Sequence, residues 1–171
     1  MHDDDDEDAA IRAVYDLSYR RLVTQMVALC GNRSEAEDVV QESFLTALTH
    51  RADFVAAANK EAWLRTVALN RLRNRWRRAR VAGRVLPRFR AELSIELGPH
   101  APEDHVAIVY ALSQLGAQVR LTAVLHYIAD LSVAQIAHEL SVPEGTVKAR
   151  LARARTQMAG YLSDHEEADH V

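Results

Sequence analysis

Along most of this chain apolar side chains return every three or four positions, the period of an amphipathic helix, and strand-like alternation is absent. Ile11, Val14, Leu22, Met26 and Leu29 mark one buried stripe, which predicts a helix that begins near Ala9 and is ended by Gly31. A second helix is expected from Ser34, where Ser34 and Glu37 fit a capping box, and it turns Val40, Phe44, Ala47 and Leu48 towards a core. Ala52 to Asn59 reads as a loop. From Lys60 to Val81 the buried edge is Leu64, Val67, Ala68 and Leu72. Periodicity then lapses, with Gly83, Pro87, Gly98, Pro99 and Pro102 acting as breakers, so residues 82–102 read as a linker. Helices from Glu103 to Leu115 and from Ala117 to Ile128 lead into a helical hairpin. Its two starts are signalled by capping boxes, Ser132 with Gln135 and Ser141 with Glu144. Ile136 and Leu140 form the apolar edge of its first helix, and Val147, Leu151, Ala154 and Met158 that of its second. The expected fold class is all-α, two helical domains joined by a flexible linker.

The charges alter this picture only once they are located. A chain of 171 residues with 49% apolar content can build packed cores, and its formal charge is −3. Residues 1–8 hold six acids and residues 163–171 four, with no Lys or Arg in either stretch. That leaves 14 acids against 21 bases in residues 9–162, a body with seven surplus cations between acidic ends. A partner responds to that local field, not to the net charge. Residues 1–8 and 163–171 are expected to be acidic tails, the first disordered. The single cysteine, Cys30, lies on an apolar run and is expected in the core; alone it can make neither an intramolecular disulfide nor a thiolate-rich metal site. No secretory or anchoring signal is read, so membrane insertion is not expected and a cytoplasmic location is.

Two basic stretches carry the candidate chemistry. Between Arg71 and Arg90 there are nine arginines and no acid. Helical spacing leaves Arg65, Asn70, Arg73, Asn74 and Arg77 on the surface, where guanidinium groups can grip phosphates and Asn amides can meet base edges. Trp63 and Trp76 read as packed in preference to stacking on bases. In the hairpin, Lys148, Arg150 and Arg153 face away from the apolar stripe, as a helix entering a major groove requires. A solvated basic face on an ordinary helical hairpin remains the alternative. Asp38, Gln41 and Glu42 form an exposed acidic patch that solubility and helix-dipole complementarity would also explain. There is no phosphate-cradling glycine loop, nucleophile elbow or cluster at catalytic spacing. His100 and His105 lack a third ligand nearby. Neither catalysis of its own, a cofactor nor a metal is expected.

With both basic stretches placed, residues 9–162 resemble a bacterial RNA polymerase sigma factor of the small, extracytoplasmic-function type. AEDVVQESFLTAL resembles that family's polymerase-binding segment, AWLRTVALNRLRNRWRR its promoter-melting helix, and LSVAQIAHELSVPEGTVKARLARAR its carboxy-terminal helix-turn-helix. The resemblance implies that residues 9–81 bind core polymerase and the −10 element and that residues 103–162 bind the −35 element. Asp38, Gln41 and Glu42 would dock on the clamp coiled coil of the polymerase largest subunit. Asn70 and Asn74 would contact the single-stranded −10 element, with Arg73, Arg77 and Arg78 holding phosphates; the segment from Arg51 to Lys60 would take a flipped-out base. Glu144, Thr146, Lys148, Arg150 and Arg153 would enter the major groove at the −35 element. Partners implied are core RNA polymerase, promoter DNA and an anti-sigma factor. Gly116, Gln135, Ser141 and Ala149 depart from the family's usual proline, glutamate, glycine and serine. A stand-alone helix-turn-helix regulator is the competing reading, and it leaves Asp38, Gln41 and Glu42 without a task. The acidic start could also lie on the arginine-rich surface and compete with DNA, against the simpler reading of a solvated tail.

Overall fold

The structure, a computed structural model, describes residues 2–82 and 103–168. Among the described residues all regular structure is helical: α1 (His2–Cys30), α2 (Arg33–Thr49), α3 (Arg51–Ala56), α4 (Lys60–Val81), α5 (Glu103–Ser113), α6 (Ala117–Tyr127), α7 (Val133–Leu140) and α8 (Glu144–Ala168). They fall into two compact units, residues 1–87 and 88–171. The expected linker lies, apart from Ala82, outside the described residues, as does His100.

In the first unit α1, α2 and α4 pack on one another and α3 touches all three. The expected stripes meet in one core: Leu22, Met26, Val40, Ala47, Leu64, Ala68 and Leu72 are fully or almost fully buried. Each large apolar side chain withdrawn from water contributes about 1.5–3 kcal/mol before entropy is subtracted. The core also takes Val39, Ala36 and Leu69, which the sequence reading did not single out. Gly31 closes α1 at φ 70°, in the left-handed region that glycine enters without a Cβ clash. Cys30 is half-buried, its Sγ 3.2 Å from the Asn32 carbonyl.

Four local expectations are corrected here. Helix α1 starts at His2, not near Ala9, so the acidic run expected to be disordered is helical. Acids suit the positive end of a helix dipole, and Asp8 is tied to Arg51 Nε at 2.7 Å. The cap of α2 is Asn32, not Ser34: its extended backbone and its side chain, accepting from the Glu35 N–H at 2.7 Å, place the start two residues earlier. The expected loop from Ala52 to Asn59 is helical as far as Ala56, as part of α3, which is held by Phe54, fully buried and meeting the Trp63 ring edge-on at 5.4 Å. Arg65, expected at the surface, is only 2% exposed. Its Nε donates to Gln25 Oε1 at 2.9 Å, and Glu61, which also pairs with Arg21 and accepts from Ser18, lies beside it. Core periodicity put Arg65 on the flank of α4, and α1 happens to cover that flank with polar partners.

In the second unit α8 is the hub and packs against α5, α6 and α7. Leu112, Leu115, Leu125, Ile136, Val147, Leu151 and Ala154 fill the space between them. Arg120 donates to the carbonyls of Leu112, Ser113 and Leu115 at 2.9, 2.6 and 2.9 Å, which satisfies orphan acceptors at the end of α5. Of the two capping boxes expected here, the first is formed in full: Ser132 and Gln135 exchange hydrogen bonds of 3.2 and 2.9 Å. The second is a correction. Ser141 closes α7 in the left-handed region at φ 53°, and α8 opens at Glu144 with the Thr146 and Val147 N–H groups on the Pro143 carbonyl. A turn this tight needs one residue at positive φ, and Ser141 occupies that position. The acidic stretch from Ser163 continues α8 as far as Ala168.

Candidate nucleic-acid interface

Helix α4 carries the first surface. Leu64, Ala68 and Leu72 fix its inner face, so Asn70, Arg73, Asn74, Arg77 and Arg78 emerge on the opposite side, all exposed. Asn70 and Asn74 are one turn apart on one face. Arg77 Nη2 donates to Asn74 Oδ1 at 3.1 Å, which orients that amide. Lys60 sits at the start of the helix, where Asn59 accepts from the Ala62 N–H at 2.9 Å; Lys60 Nζ reaches back to the Val55 carbonyl at 3.3 Å. That bond ties the end of α3 to the start of α4. A helix face of this kind, donor-rich and flanked by cations, can hold phosphates and unpaired base edges. Trp63 and Trp76 are both half-buried, in keeping with packing.

The second surface is on α2. Asp38 and Gln41 are exposed and Glu42 is half-buried, on neighbouring turns of one face. Leu45 extends that face with 60% of its surface exposed. Beside it an open groove of about 510 Å³ runs between α1 and α2, lined by Ile11, Tyr15, Phe44, Leu45 and Leu48 together with the polar Asp8, Arg12 and Gln41. Tyr15 stacks on Tyr19 with ring centroids 4.7 Å apart and meets Phe44 edge-on at 4.9 Å. The surface is therefore acidic at one end and mainly apolar at the other.

Between these two surfaces stand residues to which sequence reasoning gave no role. Arg71 Nη1 and Arg75 Nη2 reach the Glu42 carboxylate at 3.0 and 2.7 Å, and Arg75 Nη1 lies 3.8 Å from Asp38 Oδ2. Arg71 Nη2 also donates to Thr46 Oγ1 at 2.7 Å. Their spacing of four, one register beyond Asn70 and Asn74, is the signal that could have marked them as a separate row on α4. Which helix that row would face depends on packing.

The third surface is the α7–α8 hairpin. Val147, Leu151 and Ala154 turn inwards, leaving Glu144, Lys148 and Arg153 exposed and Thr146 half-buried. Lys148 Nζ is 3.9 Å from Glu144 Oε2, a loose exposed pair. Arg150, expected to face outward, is half-buried, and its Nη1 is buried without a hydrogen-bond partner. It lies at the edge of the stripe, three residues after Val147 and one before Leu151, where packing on that flank decides exposure. Arg155, not singled out from sequence, is exposed. Among the described residues no group of His, Cys, Asp and Glu could hold a metal ion, and no helix is long and apolar enough to cross a membrane.

Two family descriptions match the chain, Sigma-70 region 2 over residues 14–81 and Sigma-70, region 4 over residues 105–158. Over 149 residues the chain is 38% identical to the ECF RNA polymerase sigma factor SigL of Mycobacterium tuberculosis, covering 85% of this chain and 84% of SigL. Against the ECF RNA polymerase sigma factor SigW of Bacillus subtilis the identity is 31% over 166 residues, covering 88% and 83%. Its fold is similar to that of the sigma factor RpoE solved in complex with the anti-sigma factor NepR from Bartonella quintana, with a TM-score of 0.76 at 24% identity over 89% of this chain and 96% of that one.

Proposed function

This chain belongs to the extracytoplasmic-function RNA polymerase sigma factors, transcription initiation factors that act with RNA polymerase, and from that premise we propose how its two units divide the work. Residues 9–81 dock core polymerase and capture the −10 strand, residues 103–162 fix the upstream position on the −35 element, and residues 82–102 link them. Asp38, Gln41 and Glu42 offer carboxylates and an amide to cations on the clamp coiled coil of the largest subunit. Asn70 and Asn74 hydrogen-bond unpaired bases while Arg73, Arg77, Arg78 and Lys60 neutralise phosphates. The segment from Arg51 to Lys60, which includes α3, receives a flipped base, whose unstacking costs about a few kcal/mol that contacts with the segment offset. Glu144, Thr146, Lys148, Arg150 and Arg153 read the major groove. Bond formation is left to the polymerase, and the protein works in the cytoplasm, where promoter DNA is.

One observation supports this reading above the others: α4 exposes its Asn and Arg face on the same unit whose α2 exposes Asp38 and Gln41. A DNA-binding regulator acting alone has no use for the second. We also propose an inhibitory protein partner, in line with the neighbour RpoE, which was solved with an anti-sigma factor. The test is transcription in vitro from a promoter library by core polymerase with and without the protein. Defined starts should appear only with it, and Asp38→Arg should abolish both those starts and cosedimentation with core polymerase. Starts independent of the protein, or an Asp38→Arg variant indistinguishable from wild type, would overturn the assignment.

A further inference from the structure

The Glu42 carboxylate is shared between two arginines of the DNA-facing helix. Arg71 Nη1 lies 3.0 Å from one of its oxygens and Arg75 Nη2 2.7 Å from the other, with Arg75 Nη1 3.8 Å from Asp38 as a weaker contact. At 3.6 residues per turn Asn74, Arg78, Arg71 and Arg75 succeed one another within about 100° around α4. The two paired guanidinium groups therefore border the strand-binding face. Neither is locked in the core: the side chains of Arg71, Arg75 and Glu42 are 39%, 31% and 40% exposed. Arg71 Nε is buried without a hydrogen-bond partner, so the present arrangement leaves part of that side chain unsatisfied.

We propose that Glu42, with Arg71 and Arg75, is an electrostatic latch that makes docking of polymerase and capture of the DNA strand depend on one another. In the free protein the carboxylate neutralises two cations next to the strand-binding face. A cationic partner surface on Glu42 and Asp38 competes for the same oxygens and releases both guanidinium groups to phosphates. By linkage the coupling is reciprocal: phosphates drawing Arg71 and Arg75 away leave the carboxylate free for polymerase. An exposed pair of this kind is worth at most roughly fivefold in an equilibrium constant, so two pairs can set a coupling of about three- to tenfold. The latch rests on the assignment of Asp38 and Glu42 to docking and of α4 to strand capture.

The decisive experiment needs no polymerase. Binding of the full chain to a labelled single-stranded −10 oligonucleotide is followed by fluorescence anisotropy over a range of salt. Glu42→Gln should bind about three- to tenfold more tightly than wild type, with a steeper salt slope because each newly neutralised phosphate on a single strand adds roughly 0.7. Glu37→Gln removes an equal charge from the same helix, where Glu37 pairs with Arg33 at 2.8 Å, and should change affinity by less than about twofold. Adding Arg75→Gln to Glu42→Gln should cancel most of the gain. Glu42→Asp, a shorter acid, should move affinity the same way by less, and covers the case in which Glu42→Gln does not fold. A Glu42→Gln affinity or salt slope equal to that of Glu37→Gln overturns the latch. In a second arm Arg75→Gln should bind core polymerase at least as tightly as wild type; weaker binding would mean a fixed brace and sink the proposal. Failure of wild type itself to bind core polymerase would instead defeat the docking assignment, while the oligonucleotide arm still decides the ion-pair exchange.

Discussion

Helices α4 and α8 are both arginine-rich and both anchored by a row of buried apolar side chains, yet they use their cations differently. On α8 Lys148, Arg153 and Arg155 are exposed, and the pair from Lys148 to Glu144 spans 3.9 Å within the same helix. On α4 Arg65 is buried against Gln25 and Glu61, Arg71 and Arg75 are held by Glu42 of α2, and Arg73, Arg77 and Arg78 are left exposed. The difference follows from what lies beside each helix. Polar and acidic side chains of α1 and α2 reach the flanks of α4. Around α8 the neighbouring helices contribute mainly apolar residues such as Leu112, Leu125 and Ile136. Lys148, Arg153 and Arg155 of α8 are not committed to another helix, and Arg150 alone of its cations is half-buried, whereas several of those on α4 are part of the fold.

Mutations that treat the two helices alike should expose this contrast. The largest effect is expected from Arg65→Ala, which strips a buried cation from Gln25 and Glu61 and should lower stability by about 2–4 kcal/mol in thermal or urea unfolding. A loss under about 1 kcal/mol would show that the buried network is dispensable. On α8, Arg153→Ala should leave stability within about 0.5 kcal/mol. Combined with Lys148→Ala it should instead weaken duplex −35 binding and reduce the salt slope by about 1 for each phosphate contact removed. An unchanged slope would move the interface off this face. The smallest effects sharpen how the hairpin is held. Ser132→Ala removes the cap of α7 and should cost about 1 kcal/mol. Ser141→Gly should go the other way by up to about 1 kcal/mol, because glycine relieves a positive φ. A loss at Ser141 equal to that at Ser132 would restore the capping role that the sequence pattern suggests and the structure does not give it.

Much of the candidate site was legible because it rests on local rules. The 3.6-residue period alone puts Asn70 and Asn74 on one face and opposite Leu72, and it separates Lys148 and Arg153 from Val147 and Leu151. Both expectations agree with the observed burial. Flank positions were less legible. Arg65 and Arg150 both read as outward-facing, and both are wholly or partly buried, because a residue at the edge of a stripe is exposed or covered according to the neighbouring helix. Caps show the same limit. Asn32, Ser34 and Ser141 all satisfy the composition rule, and the competition between adjacent candidates is settled by the turn each must complete.

The sequence by itself determined the all-helical class, the position of most helices, the apolar rows that make each core and the two cationic faces. These depend on periodicity and charge within a few turns of chain. Tertiary structure decided which cations stay free. The pairing of Glu42 with Arg71 and Arg75 joins residues 29 and 33 positions apart, and that of Arg65 with Gln25 spans 40. Short-range pattern carries no information at such separations. Only the packing of α1 and α2 against α4 brings those groups within hydrogen-bonding distance.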